Sequence, residues 1–326
     1  MIFSAKPSTK VDDHRLSVDP DFTAPVANNG YRWWYIDGLS DDGLCGLTII
    51  VFVGCVFSPH YFRARKKGGI DPRNHVAVNA ILYGKGGKRW SLTERSERSL
   101  TTTFNKISIG PSQLSFSEQS AQVHIRELTV PLPGRLQGDI RITPEVENHR
   151  VFTLDNDGEH HWRPIWPRAR IEVSMQRPLR RWEGNAYVDS NWGEAPLESA
   201  FESWDWSRLH LPDGRIQIRY NRQLTGAVER NLALTFGHDG TLEETTAQPS
   251  MQLPVTPVWR MHRPTSAAGP TSVIKTLEDT PFYARSLIQQ QEGSLVGTGF
   301  HESVDLRRFS QPWVQMLLPF RLPRAG

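Results

Sequence analysis

Two short pairs of side chains combine residue types that can carry out acid–base chemistry. They are His160-x-Trp162 and, 27 residues further on, Tyr187-x-Asp189. In a β-strand, residues i and i+2 point to the same face, so each pair is expected to aim two side chains into one cavity. Together they offer an imidazole, an indole, a phenol and a carboxyl. This set can protonate a substrate, handle a water molecule and surround a cation with π-faces.

Asp189 has two interpretations at the level of local sequence. It can begin a turn before Gly193, or its aromatic neighbours Tyr187 and Trp192 can disfavour the ionised form. In the second case the carboxyl stays protonated near neutral pH and is available as an acid. The first pair is equally ambiguous, because a histidine in a turn and a tryptophan in a core need no catalytic role.

Other acidic residues of the strand-like segments are assigned structural roles. Asp37, Asp41 and Asp42 are expected at turns and strand ends. Asp205, between two tryptophans, is expected to pair with Arg208 on the rim of a strand. Neither assignment contributes to the candidate site.

The elements that must position the two pairs are predicted to be β-strands. Short β-branched and aromatic runs recur between Gly, Pro, Asn and Asp, and residues 31–39 and 47–57 flank a turn-forming segment to make a hairpin. Short helical turns are expected around 59–67 and 196–201. We therefore predict an all-β protein of two packed antiparallel barrel or sandwich domains. Residues 1–195 carry the candidate site, and residues 196–326 form the second domain.

Composition narrows the class of protein. The chain has 326 residues, of which 38% are hydrophobic and 22% charged, as in globular proteins. A net charge of +3, without a recognition motif, does not indicate a nucleic-acid partner. The longest apolar run, 47–57, is far shorter than the ~20 residues that span a bilayer, and the opening MIFSAKPSTKVDDH lacks a signal-peptide core. Cys45 and Cys55 are expected to be small buried hydrophobes, which favours a reducing compartment.

Cofactor motifs are missing from the sequence. It contains no GxxxxGK[ST] loop, no strand–GxGxxG–helix unit, no HExxH and no GxSxG. GKGGK at 84–88 joins two strand candidates and is interpreted as a hairpin turn. The 11 histidines lack metal-ligand spacing, apart from the adjacent His160 and His161. We expect neither a cofactor nor a metal ion.

A basic cluster follows the apolar run SPHYF and consists of Arg63, Arg65, Lys66 and Lys67. A basic loop beside apolar residues can lie on an anionic membrane surface. A solvated loop explains the same pattern, and both interpretations stay open at this point.

Several long segments also match a known family in the same order. They are YRWWYIDGLSDDGLCGLTIIVFVGCVFSPHYFRAR, DPRNHVAVNAILYG, KRWSLTER, WEGNAYVDSNWGEAPLESAFESWDWSR, LEDTPFYARSL and HESVDLRRFSQPWVQMLLPFRLPR. With these segments, from residue 31 to the C-terminus, the chain resembles the bacterial carotenoid 1,2-hydratases, also called hydroxyneurosporene synthases. The cysteine in VGCVFSP departs from the serine expected in that family, but neither residue has a clear catalytic duty.

The resemblance implies a specific enzyme. Such a hydro-lyase adds water to the terminal C1–C2 double bond of acyclic carotenoids such as neurosporene and lycopene, without a cofactor, and gives a tertiary 1-hydroxy carotenoid. It implies lipocalin-like domains and two catalytic elements, H-x-W and Y-x-D, which match His160, Trp162, Tyr187 and Asp189 here. Expected partners are the carotenoid, water and membrane lipid. The protein is then expected at the cytoplasmic side of a bacterial photosynthetic membrane, peripherally bound.

The expected mechanism begins with Asp189, which burial keeps neutral, protonating C2 of the alkene, and ends with water capturing the tertiary cation at C1. Trp162 and Tyr187 are expected to stabilise the cation, or Tyr187 to orient Asp189. His160 is expected to hold the water, although Tyr187 and His160 can exchange roles. Alternatives are a terpenoid cyclase or isomerase with the same acid, a non-catalytic carrier of an apolar ligand and, with less support, a carbohydrate-binding protein.

Overall fold

The computed structural model describes residues 21–227, 229–245 and 248–325. The polar N-terminal stretch, and with it the start of the predicted domain 1–195, lies outside these residues. Within them almost all regular structure is antiparallel β-strand, arranged in sheets of 12, 7 and 2 strands. The predicted all-β class is confirmed.

The first sheet contains the strands that carry both candidate pairs. Its spatial order is β4-β3-β2-β1-β12-β11-β9-β8-β7-β6-β5, with β10 paired to β11. The strands are β1 Tyr31–Ser40, β2 Gly46–Val53, β3 Val76–Tyr83, β4 Arg89–Arg95, β5 Leu100–Thr103, β6 Lys106–Ile109, β7 Ser112–Phe116, β8 Ala121–Leu128, β9 Arg135–Val146, β10 Phe152–Thr153, β11 His160–Arg177 and β12 Leu179–Gly193.

The second sheet has the order β16-β15-β14-β13-β21-β20-β19, and β17 pairs with β18 separately. These strands are β13 Phe201–His210, β14 Ile216–Leu224, β15 Arg230–Phe236, β16 Leu242–Thr245, β17 Ser250–Leu253, β18 Arg263–Ser266, β19 Thr271–Asp279, β20 Tyr283–Glu292 and β21 Leu295–Asp305.

Helices are short and lie between strands or after the last one. The α-helices are α1 Pro59–Arg65, α2 Leu197–Ala200, α3 Leu306–Phe309 and α4 Pro312–Leu317, and the 3₁₀ turns are Pro72–His75, Glu97–Ser99 and Leu318–Phe320. The helical turns predicted around 59–67 and 196–201 correspond to α1 and α2. Among the residues described, no helix has the length and apolar character needed to cross a membrane.

The predicted hairpin is formed by β1 and β2, and its turn uses the expected residue types. Asp42 Oδ1 accepts hydrogen bonds from Ser40 Oγ at 2.5 Å and from the Leu44 amide at 2.9 Å. Gly43 has φ +69°, a left-handed conformation that costs glycine little. Cys45 beside this turn is only half-buried, whereas Cys55 is buried, so the prediction of two buried cysteines is wrong for Cys45.

The first sheet curls so that its two ends face each other. Val51 and Val78 from one end pack with Ile107 and Leu114 from the other in a shared apolar core. Between β4 and β8, Arg95 Nη2 lies 2.6 Å from Glu127 Oε2. The curl therefore encloses one face of the sheet.

The second face of β1 and its neighbours packs on the second sheet. Trp34 and Ile36 belong to the enclosed core, whereas Trp33 and Tyr35 belong to a different core that includes Trp206. This division follows the two-residue alternation of a strand. This interface between the two sheets, called the seam below, is rich in large aromatic side chains, each of which buries much surface.

The link between the two sheets is short. β12 ends at Gly193, β13 begins at Phe201, and only α2 lies between them. At the other end of the chain, the Glu94 amide donates to the Pro323 carbonyl at 3.0 Å, so the C-terminal residues return to the first sheet. The division into domains 1–195 and 196–326 stays a prediction.

Candidate active site

The carboxyl of Asp189 is held by both aromatic partners that the sequence pairs with it. Trp162 Nε1 donates to Asp189 Oδ2 at 3.0 Å, and the Tyr187 hydroxyl donates to the same oxygen at 2.9 Å. The other oxygen, Asp189 Oδ1, is buried and has no hydrogen-bond partner among the described residues. One oxygen is therefore fixed by two donors, and the other is left for a ligand.

Burial dominates the electrostatics of this carboxyl. Asp189 is 5% exposed, and desolvation raises its pKa from 3.8 to about 7, although the two hydrogen bonds act in the opposite direction. Nearby Asp37 raises this pKa further, while Arg208 lowers it. At neutral pH a substantial fraction of Asp189 is therefore the neutral acid.

Strand pairing explains why distant residues meet at this carboxyl. β12 lies between β1 and β11, with Asp189 opposite Tyr35 and Asn191 opposite both Trp33 and Trp162. All of these side chains point to the seam face because opposite residues in a ladder share a face. The two candidate pairs thus lie on adjacent strands and on one face.

Aromatic rings enclose the two donors of Asp189. The Trp162 ring meets Tyr220 edge-on at 5.4 Å, and the Tyr187 ring lies 5.4 Å from Trp206 of the second sheet. The guanidinium carbon of Arg208 lies 5.3 Å from the centre of the Tyr187 ring. One face of the Tyr187 ring is therefore occupied by a cation of the protein itself, and the contact of Tyr187 with Asp189 is made by its hydroxyl.

His160 is the first residue of β11, and its side-chain contacts are separate from those of Asp189. Its Nδ1 is 3.0 Å from the Tyr31 hydroxyl, and its buried Nε2 has no partner among the described residues. Desolvation lowers the pKa of His160 to about 4, so the imidazole is neutral at pH 7. Gly193 lies opposite both residues, and a Cβ there would come within 2.6 Å of His160 Nδ1. The close Tyr31–His160 contact depends on this glycine.

A cavity of about 500 Å³ lies in the seam, and Asp189 is in its wall. This volume is within the ~300–1,000 Å³ range of small-molecule sites. Aromatic rings from both sheets and from the loops make up much of the wall: Trp33, Tyr35, Phe52, Phe57, Trp90, Trp162, Trp204, Trp206, Tyr220, Trp259, Phe282, Tyr283 and Phe320. Of the four sequence candidates, Trp162 and Asp189 line this cavity, whereas Tyr187 supports Asp189 from behind and His160 lies outside the wall.

A charge cluster that sequence analysis missed lies between the sheets next to the site and is formed by Asp37, Arg208, Arg285 and Glu302. The first three are buried, whereas Glu302 is partly exposed and lines the cavity. Asp37 Oδ1 binds Arg208, and Asp37 Oδ2 lies 3.2 Å from Arg285 Nη2. Arg285 also binds Glu302, and the Tyr35 hydroxyl donates to Asp37 Oδ2 at 2.9 Å. Asp37 belongs to the first sheet and its charged partners to the second, so this cluster ties the sheets together.

Two structural assignments made from sequence are corrected by this cluster. Asp37 is fully buried in the middle of β1 and is not a turn residue. Asp205 does not pair with Arg208, because residues three positions apart in a strand face opposite sides, and Arg208 reaches Asp37 instead. Asp205 accepts a hydrogen bond from Ser303 Oγ. Asp41 is exposed in the turn after β1, as predicted, and binds Arg170 Nη2 at 2.7 Å.

One group of possible metal ligands lies next to the site. Asp155, Glu159 and His160 offer ligand atoms within 4.8 Å of one another. However, Asp155 Oδ1 accepts from the His160 amide at 3.0 Å and Oδ2 from the Glu159 amide at 3.3 Å. These bonds shape the turn before β11, and we assign the carboxylate to that structural role.

The basic cluster belongs to the end of helix α1 rather than to a loop. Arg65 is buried and binds Glu198 Oε1 at 2.7 Å, so its predicted exposure is wrong. Arg63 Nη2 donates to the Gln315 carbonyl at 3.1 Å, which joins this helix to α4. Lys66 lies over the Phe62 ring at 4.3 Å, and Lys67 is exposed.

Solved structures with similar architecture support the lipocalin-like prediction. A crystal structure of an AttH-type protein from Nitrosomonas europaea is 13% identical, with a TM-score of 0.58 over 84% of this chain and 92% of that one. Kievitone hydratase from Nectria haematococca is 12% identical, with a TM-score of 0.56 over 91% of this chain and 96% of that one. Because these neighbours have lipocalin-like folds, the predicted fold class is confirmed.

Sequence relatives are much closer. An acyclic carotenoid 1,2-hydratase of Thiocapsa roseopersicina is 46% identical over 309 residues, which cover 94% of this chain and 76% of the relative. An acyclic carotenoid 1,2-hydratase of Rubrivivax gelatinosus is 43% identical over 311 residues, again 94% and 76%. A family model described as carotenoid hydratase CrtC matches residues 49–326. The chain therefore belongs to the carotenoid hydratase family.

Proposed function

We propose that this chain hydrates the terminal C1–C2 double bond of an acyclic carotenoid to a tertiary 1-hydroxy carotenoid. The observation that carries the proposal is the Asp189 carboxyl, with one oxygen held by two donors and the other buried without a partner in the wall of an aromatic cavity. Family membership supports the reaction class.

The acid step follows from how the carboxyl is held. Oδ2 accepts from Trp162 and Tyr187, so the proton of the neutral acid resides on Oδ1. From there it passes to C2 of the alkene, a C–H bond forms, and C1 becomes a tertiary cation. Trp162 and Tyr187 then stabilise the carboxylate that remains, because both donate to it.

The cation forms among aromatic ring faces. Trp162, Trp206 and Tyr35 lie in the cavity wall around Asp189, and a desolvated ring face stabilises a cation by about 2 kcal/mol. Most of the remaining wall is apolar and limits the contact of the cation with bulk water, although charged side chains such as Lys88, Glu278 and Glu302 also line it. The negative charge developing on Asp189 contributes a further electrostatic attraction.

Water capture completes the reaction. The oxygen of one water forms the C1–O bond, and its surplus proton leaves for a base. The His160 tautomer that donates from Nδ1 to Tyr31 leaves Nε2 as an acceptor. Gly193, opposite His160, is four residues along the strand from Asp189, roughly 13 Å. Because one hydrogen bond between oxygens spans only about 2.8 Å, the proton reaches His160 through a chain of several waters and returns to Asp189 along the same chain for the next turnover.

The size of the cavity limits how much substrate it takes. A volume of about 500 Å³ suits one end of a long acyclic carotenoid, and the rest of the polyene stays outside. Since the polyene is insoluble in water, we propose that the enzyme works at the cytoplasmic side of a bacterial photosynthetic membrane, with residues 1–195 and 196–326 as its two domains.

Isotope labelling tests the proposal directly. Incubation with lycopene or neurosporene in heavy-oxygen water, followed by mass spectrometry of the product, should show the label in a new tertiary hydroxyl. An unlabelled alcohol indicates oxygen-dependent chemistry, and a cyclic or isomerised product without added oxygen indicates a cyclase or isomerase. Recovery of unchanged carotenoid bound to the protein indicates a carrier. Each of these three results overturns hydration.

A further inference from the structure

The most exposed apolar surface near the cavity is formed by α4, the 3₁₀ turn after it and one neighbouring loop. We define this docking surface as Val258, Trp313, Met316, Leu317 and Phe320, five of the 12 large hydrophobic side chains exposed in the described part of the chain. The Trp259 and Trp313 rings stack at 5.9 Å, which joins the loop to the helix. The loop residue Val258 is therefore placed beside the helix, although it is far from Trp313–Phe320 in sequence.

Helix α4 turns its apolar side outward. Val314 and Gln315 face the protein and are buried, whereas Trp313, Met316 and Leu317 face away from it. Exposed apolar patches of this kind mark interaction sites, because leaving them in water is unfavourable. A soluble helix with no further partner would carry polar residues at these positions.

The docking surface borders the cavity. Leu317 and Phe320 are exposed and also line the cavity that contains Asp189. An apolar molecule leaving the docking surface can therefore reach the carboxyl along apolar wall. A mouth facing water would instead expose the substrate.

Two chain segments next to the docking surface are basic, whereas on the side of the loop the carboxylate of Asp279 accepts from the Val258 amide at 2.7 Å. Residues 58–70 and 306–326 each contain four basic residues and no acidic residue. Arg65, Arg307 and Arg324 are paired with carboxylates. In contrast, Arg63 binds a carbonyl, and Lys66 and Arg321 lie over aromatic rings. Each basic residue near an anionic leaflet contributes about 1 kcal/mol of attraction.

We propose that this docking surface lies on an anionic lipid bilayer and that the cavity draws one end of its substrate directly from the acyl chains. The apolar side chains enter the interface, and Arg63, Lys66 and Arg321 meet the headgroups. This inference rests on the proposed function for the identity of the substrate. The surface itself is defined by exposure, charge and its continuity with the cavity.

The test compares two double variants. Val258→Asp with Met316→Asp changes side chains that are 72% and 68% exposed and outside the cavity wall. The matched control, Leu179→Asp with Val296→Asp, changes side chains that are 80% and 46% exposed at hairpins of other sheet edges. Leu179 lies ten residues along β12 from Asp189, roughly 33 Å away.

Flotation with vesicles of phosphatidylcholine and phosphatidylglycerol in equal parts measures binding. We expect the wild type and the control to float, and the partition coefficient of the docking variant to fall on the order of 100-fold. Pure phosphatidylcholine vesicles should bind the wild type more weakly. Equal flotation of both variants, binding independent of lipid charge, or no flotation of the wild type would each overturn the proposal.

Two activity assays separate this inference from the proposed function. The docking variant should lose hydration of vesicle-embedded lycopene but keep hydration of a short, water-soluble prenyl alcohol with the same terminal alkene. Loss of both activities in a folded docking variant contradicts a purely docking role. Failure of the wild type to hydrate either substrate overturns the proposed function. The flotation assay would still show whether the docking surface binds the membrane, because it does not depend on activity.

Discussion

Replacing Asp189 with asparagine removes the proposed proton donor while keeping the shape of the site. The amide keeps an oxygen that accepts from Trp162 and Tyr187 at the position of Oδ2, so the cavity retains its geometry. It has no transferable proton for the alkene. The other carboxyl groups of the cavity wall already have partners: Glu278 pairs with Lys88, Glu302 pairs with Arg285, and Asp279 accepts from two backbone amides. General acid catalysis contributes roughly 10²–10⁴-fold, and we expect a loss near the upper limit.

The same substitution should change stability in a way that depends on pH. Because burial raises the pKa of Asp189, its neutral form stabilises the folded state fully below pH 3.8, and this contribution is lost as the pH rises through about 7. At 1.36 kcal/mol per pH unit, a pKa moved from 3.8 to about 7 corresponds to about 4 kcal/mol. The difference in free energy of unfolding between the variant and the wild type is therefore expected to be about 4 kcal/mol more in favour of the variant at pH 8 than at pH 4.

Two assays check this prediction on one preparation. Hydration of a short prenyl alcohol measures activity, and urea unfolding at pH 4 and pH 8 measures the free energy of unfolding. Asp41→Asn serves as the control, because Asp41 is an exposed carboxyl whose pKa is lowered by Arg170. Wild-type activity in Asp189→Asn would refute the role of Asp189 as the acid. A stability difference between variant and wild type that does not change with pH would refute the argument that burial raises the pKa of Asp189.

Four further predictions address the same site. The kcat/KM of the wild type should fall tenfold per pH unit above about 7, as Asp189 ionises, and a profile flat to pH 9 would contradict it. Tyr187→Phe removes a donor that lowers the pKa of Asp189, so the alkaline limb of this profile should move to higher pH; an unmoved limb argues against the contact. Trp162→Ala should be about tenfold slower than Trp162→Phe, which keeps a ring face, and equal losses would exclude cation stabilisation. Arg208→Met leaves Asp37 with one buried partner fewer and should lower the free energy of unfolding by about 3–5 kcal/mol, whereas a loss below about 1 kcal/mol in urea unfolding would show that the pair is dispensable.

Local patterns in the sequence predicted the parts of the fold that depend on near neighbours. Alternation and turn residues located the β1–β2 hairpin, and the i,i+2 spacing put Tyr187 and Asp189 on one face, where they now share a hydrogen bond. The family resemblance indicates that these residues are catalytic, whereas the spacing alone is equally consistent with an ordinary strand end. Their roles remain predictions for the experiments above.

Contacts between distant strands could not be predicted in this way. Asp37 meets Arg208 and Arg285, which are 171 and 248 residues away in sequence. Each of these residues alternates normally with its neighbours, so no local pattern marks it as buried and paired. The same reason explains why the sequence predicts a cavity at the two pairs but not the contribution of Trp206 and Tyr220 from the second sheet to its wall.

The charge cluster across the seam has a consequence for recombining relatives. A chimera that joins the first sheet of one hydratase to the second sheet of another must inherit Asp37, Arg208, Arg285 and Glu302 as one compatible set. Otherwise a buried carboxylate or guanidinium loses its counterion, at a cost of about 3–5 kcal/mol that rivals the whole stability of many proteins. The short link at residues 194–200 allows a crossover between two parent sequences, because it joins the two sheets. Chimeras with this crossover should fold mainly when all four charged residues come from compatible parents.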